Sequence, residues 1–155
     1  MTTHQDFQPG EGSISAERAV ENLMAQYSYF ADAGDFAGLG ELFADGEYTF
    51  QGQVFRGRDE VTKFTGGTLF LHDGRPGTKH VLSNTTIEVD AAGETARARA
   101  YYTVFQSLPD FPLQAVGGGE YRDTFQRVAG QWRFTRREVT ADMFGDMSRL
   151  MEPPR

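Results

Sequence analysis

The chain has 155 residues and no cysteine, so it is sized for one domain with a core and a pocket, and disulfide and thiolate chemistry are excluded. Hydrophobic residues make up 39% and charged residues 24%, as in a globular protein, and thirteen Phe against one Trp favour strands around an apolar cavity over a Leu-rich bundle. The net charge is −7 and basic residues occur singly or in pairs, which removes nucleic acid and anionic membrane surfaces as partners; with zero cysteine, a cytoplasmic protein is expected.

Residues 1–12, MTTHQDFQPGEG, are polar and contain Gly and Pro. They predict a flexible start rather than a signal peptide, and no later segment is long and apolar enough to predict a membrane span. Ser13 or Ser15 can then cap a helix, with Glu17 near its positive end. Ala19, Val20, Leu23, Met24, Tyr27 and Phe30 give that helix one apolar face, and it should stop around Ala33-Gly34. Asp35 can cap a short second helix with Phe36, Leu39, Leu42 and Phe43 on its buried side. Asp45-Gly46 marks a turn, "EYTF" a strand, and "QGQVFRG" a turn and a second short strand. A third helix is predicted over 57–64, with Val61 and Phe64 inside and Gly66-Gly67 breaking it.

From residue 79 the period changes. "KHVLSNTTIEV" and "TARARAYYTVFQS" read as strands, the second with strict alternation that sets Arg97 and Arg99 opposite Ala96, Ala98, Ala100 and Tyr102. "LPDFPLQ" reads as a loop, and Gly117 to Gly119 as a bulged strand start. "GEYRDTFQRV" and "WRFTRREVT" complete an antiparallel meander. Helices followed by long strands make an α+β pattern in which the sheet buries one face against the helices. The tail over 142–155 returns to helical spacing at Met143, Phe144, Met147, Leu150 and Met151. It predicts a last helix, either docked on the core or a partner chain, or closing over a pocket as a lid.

Few residues can carry chemistry. His4, His72 and His80 are scattered and do not form a metal-ligand set. His80 begins a strand and shares a face with Leu82 and Asn84, and an imidazole titrates near neutrality, as a general base must. Asp32 could orient that imidazole, and Tyr27 could donate to a developing enolate oxygen. Each also has a plain structural alternative: a satisfied core histidine, a solvated helix terminus, a core tyrosine. Five residues on a straight helix turn through about 140°. Tyr27 and Asp32 therefore share a pocket only if it wraps the helix end or the last turn bends at Gly34. On the last strand, Trp132, Phe134 and Arg136 share a face by alternation, making Arg136 either an inward charge or an ordinary surface arginine.

The stretch "AQYSYFADAGDFAGLGELFADGEYTFQGQVFRGRDEVTKF", with "TKHVLSN" and "GQWRFTRREV" later, resembles a SnoaL-like protein of the nuclear transport factor 2-like superfamily. The resemblance covers roughly residues 13–141. It implies a cone: a curved antiparallel sheet wrapped around three N-terminal helices, an apolar pocket in its wide end, and a homodimer or higher homo-oligomer formed through the outer face. Within the superfamily the chain is similar to the branch of scytalone dehydratase, bile-acid 7α-dehydratase and hexachlorocyclohexane dehydrochlorinase. Their His–Asp pair falls on His80 and Asp32, the tyrosine of the bile-acid enzyme on Tyr27, and the dehydrochlorinase arginine near Arg136. The further carboxylate of the bile-acid enzyme is replaced at Tyr102 or Thr103. The ketosteroid isomerases share the tyrosine, but their base falls on Phe50-Gln51, and Glu120 lies near their second acid. The resemblance thus implies a lyase of dehydratase type, needing no metal or cofactor, acting on a small apolar cyclic or aromatic molecule. Phe50, Phe64, Asn84 and Tyr102 are expected to line the pocket, with Glu120, Trp132 and Phe134. A non-catalytic binding module like the small subunit of ring-hydroxylating dioxygenases, and an isomerase or cyclase, are the alternatives.

Overall fold

The structure is a computed structural model and describes residues 14–152. Helix α1, Ala16–Ala33, begins at Ser15, whose side chain accepts from the Arg18 N–H, and buries Val20, Met24, Tyr27 and Ala31 along one stripe. It ends at Gly34, whose φ of 71° suits a left-handed cap. Asp35 caps α2, Phe36–Glu41, by accepting from the Gly38 N–H. Ser13 and the expected flexible start lie outside the described residues.

Strands β1, Glu47–Phe50, and β2, Gln53–Arg56, form a short hairpin. Helix α3, Gly57–Thr68, runs through Gly66 and Gly67 instead of stopping before them. Glycine costs a helix about 1 kcal/mol, which packing can outweigh. Gly66 packs against the Phe36 side chain, and a Cβ there would meet it at ordinary contact distance.

Strands β3, Thr78–Val89, β4, Thr95–Leu108, β5, Phe111–Val128, and β6, Gln131–Phe144, form the meander. The sheet order is β2-β1-β6-β5-β4-β3. All neighbours are antiparallel except β1 and β6, which run parallel, so the expected antiparallel sheet is a mixed one. The expected loop at 108–114 is a tight turn at Pro109-Asp110, because Leu108 already pairs with Phe111. Pro112 is tolerated there because β6 pairs with β5 only from Gly117 onward, leaving β5 locally an edge.

Bulges decide which side chains face inward. In β3, Asn84 and Thr85 occupy the space opposite Ala100 alone, and Asn84 takes a φ of 54°. In β6, Thr135 is the extra residue between Phe134, opposite Phe125, and Arg136, opposite Thr124. Gly117 to Gly119 sit mid-strand in β5, with register shifts at Val104/Phe105 and Gly118/Gly119. The tail is not a helix: Asp142 to Phe144 continue β6, and Met151 bridges to Leu69. No helix among the described residues is long and apolar enough to cross a membrane.

The two ends of the glycine run make a stability test. A Cβ at Gly119 would overlap the Thr140 carbonyl oxygen, whereas one at Gly117 would meet only the Met143 carbonyl oxygen, at 3.6 Å. Gly119→Ala is expected to cost about 3 kcal/mol in urea unfolding and Gly117→Ala less than about 1 kcal/mol.

Candidate active site

The end of α1 and the start of β3 meet through one carboxylate. Gly34 turns the chain, and its bare Cα lets the loop before β3 close on the helix end, where a Cβ would lie 2.7 Å from the Gly74 carbonyl oxygen. Asp32 then accepts three hydrogen bonds from β3. His80 Nδ1 lies 2.6 Å from Oδ1, Thr78 Oγ1 donates to the same oxygen at 2.8 Å, and the His80 backbone N–H donates to Oδ2 at 2.9 Å. Burial disfavours the charged carboxylate, but the hydrogen bonds and charge of His80, with that of Thr78, outweigh it and hold Asp32 below the ordinary carboxylate range. An ionised Asp32 only accepts, so the proton of a neutral His80 sits on Nδ1 and Nε2 keeps its lone pair.

His80 lines an apolar cavity of about 90 Å³ beneath the sheet. Asp32 does not line it. The angular problem on α1 is thereby resolved without a bend: Tyr27 and Ala31, one turn apart, face the cavity, while Asp32 reaches sideways and acts there through His80. Tyr27 is buried, and its hydroxyl lies 2.9 Å from that of Tyr48 on β1. Burial raises the Tyr27 phenol above its ordinary range, and the Arg137 cation beside its ring works against that rise. Burial also drives Tyr48 and Tyr121 well above theirs, so the cavity presents neutral phenols. Among the described residues, its lining carries no titratable side chain apart from His80 and the phenols of Tyr27, Tyr48, Tyr102 and Tyr121.

Of the expected lining residues, Phe50, Phe64 and Tyr102 are in the cavity wall, with Tyr102 stacked on Tyr121 at 4.4 Å between ring centres. Four others lie elsewhere. Asn84 is exposed, because the β3 bulge breaks the alternation that begins at His80. Glu120 faces the outer side of the sheet, paired with Arg99 and Arg122. Trp132 covers a surface depression beside Leu23 and Leu42. Phe134 is fully packed in the core between Phe43 and Phe125, at 4.9 and 4.7 Å.

Arg136 is also corrected. The extra residue Thr135 reverses the alternation, so Arg136 points outward, half exposed, towards Glu47 and Glu138. Arg137 takes the inward place. It is fully buried, donates from Nε and Nη2 to Asp123 at 2.9 and 2.7 Å, and lies 4.3 Å from the Tyr27 ring centre and 3.9 Å from that of Tyr121. Burial opposes its charge, and Asp123 more than restores it. The tail supplies Met143, Phe144, Met147, Leu150 and Met151 to the cavity wall. It is strapped down at the Arg149 carbonyl, which accepts from His72 Nε2 at 2.8 Å and Gln106 Nε2 at 3.0 Å. No cluster of three or more His, Asp or Glu side chains suited to a metal ion occurs among the described residues.

Sequence reasoning passed over Tyr48, Thr78 and the Arg137–Asp123 pair. Thr78 was within reach, since it stands two residues before His80 and therefore on its face. Arg137 was not, because nothing in the alternation marks Thr135 as a bulge.

Two measurements check this geometry. Arg137→Met leaves Asp123 buried and unpaired, and is expected to cost about 3–5 kcal/mol in urea unfolding, against less than about 0.5 kcal/mol for Arg136→Met. Asp32 has a lower pKa folded than unfolded, so its contribution to stability is complete above about pH 4 and lost as pH falls through the folded value. The stability gap between wild type and Asp32→Asn is therefore expected to narrow below about pH 4 in a series of denaturation curves.

The SnoaL-like domain model matches residues 12–138. No functionally curated protein matches the chain. Among solved structures, a Novosphingobium aromaticivorans protein designated "Putative Scytalone Dehydratase" is 32% identical, with 84% of this chain and 86% of that chain covered and a TM-score of 0.67. An NTF2-like protein with a cystatin-like fold from the same organism is 31% identical, with 79% of each chain covered and a TM-score of 0.67. ActVI-ORFA of Streptomyces coelicolor, 20% identical with 81% and 96% covered and a TM-score of 0.66, shares the fold. The chain belongs to the SnoaL-like family, built on the NTF2-like, cystatin-like fold.

Proposed function

We propose that the protein is a dehydratase-type lyase acting on a small, neutral cyclic or aromatic β-hydroxy carbonyl compound. One observation carries this reading: an imidazole at the wall of an apolar cavity, with Nδ1 2.6 Å from the half-buried Asp32 carboxylate and Nε2 without a protein partner among the described residues. The similarity to the protein designated "Putative Scytalone Dehydratase" supports the same class.

The chemistry follows from the groups present. His80 Nε2 takes the proton from the carbon alpha to the carbonyl, and Asp32 stabilises the imidazolium that forms. The electron pair moves onto the carbonyl oxygen. The Tyr27–Tyr48 pair supplies a phenolic hydrogen bond to that oxygen: one hydroxyl donates to the other, and the second proton is left for the substrate. As the enolate collapses, the C–O bond to the β-hydroxyl breaks and the imidazolium returns its proton to the departing oxygen. Water leaves and a conjugated double bond remains. Among the described residues the cavity lining holds no Asp, Glu, Lys or Arg, so a charged substrate group would be stranded against them, and the reading takes a neutral substrate.

His80→Ala is expected to lower kcat by about 10²–10⁴-fold on cyclic β-hydroxy ketones, and Tyr27→Phe by about 10²-fold, with water loss followed by mass spectrometry. Equal turnover by wild type and His80→Ala would end the proposal. A product of unchanged mass would replace elimination with isomerisation in the same cavity.

A further inference from the structure

Thr78 is fully packed at the start of β3, and its hydroxyl makes one hydrogen bond, to Asp32 Oδ1. That oxygen also faces His80 Nδ1, so one carboxylate oxygen serves two donors from the same strand face. The strand start is itself pinned. Gln106 Nε2 donates to the Pro76 carbonyl at 3.0 Å, and the Ser107 N–H donates to the Gly77 carbonyl at 3.0 Å. Thr78 thus holds the carboxylate from a fixed base. From this geometry we infer that Thr78 is a positioning residue of the site: its hydroxyl locks the rotation of the Asp32 carboxylate and aims the remaining lone pair of Oδ1 at His80 Nδ1.

The hydroxyl has a second consequence. Donating to the carboxylate spreads its charge and makes it a weaker base, so the proton shared along the 2.6 Å contact stays on the imidazole. The proposed elimination requires this, because His80 must keep that proton while Nε2 accepts and returns another. In this sense the inference rests on the dehydratase reading.

The surroundings leave Thr78 as the tunable neighbour. On α1 the other group near the cavity is the neutral phenol of Tyr27, and beyond the helix Asp35 is engaged at Gly38. In the loop before β3, His72 is turned to the Arg149 carbonyl, and Asp73 and Arg75 are exposed, as is Lys79 on β3. Across the cavity stand the phenols of Tyr48, Tyr102 and Tyr121.

The test compares two pairs that differ by the hydroxyl: wild type with Thr78→Val, and Thr78→Ser with Thr78→Ala. The Asp32 carboxyl is titrated by ¹³C NMR, the Nδ1 proton of His80 is followed in the downfield ¹H spectrum, and turnover is measured on a cyclic β-hydroxy ketone. Loss of the hydroxyl is expected to raise the Asp32 midpoint by roughly 0.5–1 pH unit, to move the Nδ1 resonance, and to cut kcat about tenfold with KM little changed. Thr78→Ser is expected to restore all three. The Ser/Ala pair decides the matter should Thr78→Val fail to fold. An Asp32 midpoint and Nδ1 resonance unchanged in both pairs would overturn the inference. If both signals move but wild type dehydrates no ketone, the positioning role stands and the dehydratase reading falls.

Discussion

The carboxylate of Asp32 is where helix and sheet agree on a common geometry. Its donors come from a strand whose imidazole lies 48 residues further along the chain, and they engage both of its oxygens. A half-buried carboxylate is favoured in its charged form only while those donors are in place. The closure of the 72–77 loop on Gly34, the capping of α2 by Asp35 and the pinning of the β3 start by Gln106 and Ser107 all serve that condition. Because the contact sets the tautomer of His80, the fold decides not only where the base stands but which nitrogen is available to work.

Beneath the cavity lies a fully buried charge pair of a different character. Arg137 and Asp123 are both inaccessible to solvent, and their bidentate contact is capped by the faces of Tyr27 and Tyr121. Such a pair contributes little net stability against an apolar replacement, yet it is costly to break from one side. What it supplies is order: the planar guanidinium fixes the two rings, and the Tyr27 ring carries the hydroxyl that meets Tyr48. The polar floor of an otherwise apolar cavity is therefore held from behind by charges that never touch its contents.

Much of this was readable from residue types. The apolar spacing from Val20 to Ala31, Ser15 before the helix and Gly34 after it define α1 almost to the residue. The strict alternation of β4 survives intact, with Ala96, Ala98, Ala100 and Tyr102 inward. Residue types left Asp32 and His80 each with a plain structural alternative, and it is the family resemblance that pairs them. The misplacements of Arg136 and Asn84 share one cause. An inserted residue in a strand leaves no local mark, so alternation carried past Thr135 picks Arg136 over Arg137, and alternation carried past Ser83 puts Asn84 inside. The tail misled differently: its methionines recur at helical intervals because they fill a cavity wall, a task that an extended strand end and a turn perform as well.

The parallel seam between β1 and β6 joins residues 47–50 to 136–139. The N-terminal hairpin thus cannot enter the sheet until the final strand has emerged from the ribosome, whereas β3 and β4 can pair as neighbours well before. Until residues 131–144 are made, Phe43 lacks the Phe134 ring it stacks on and β1 lacks its parallel neighbour, so this part of the core stays open in the nascent chain.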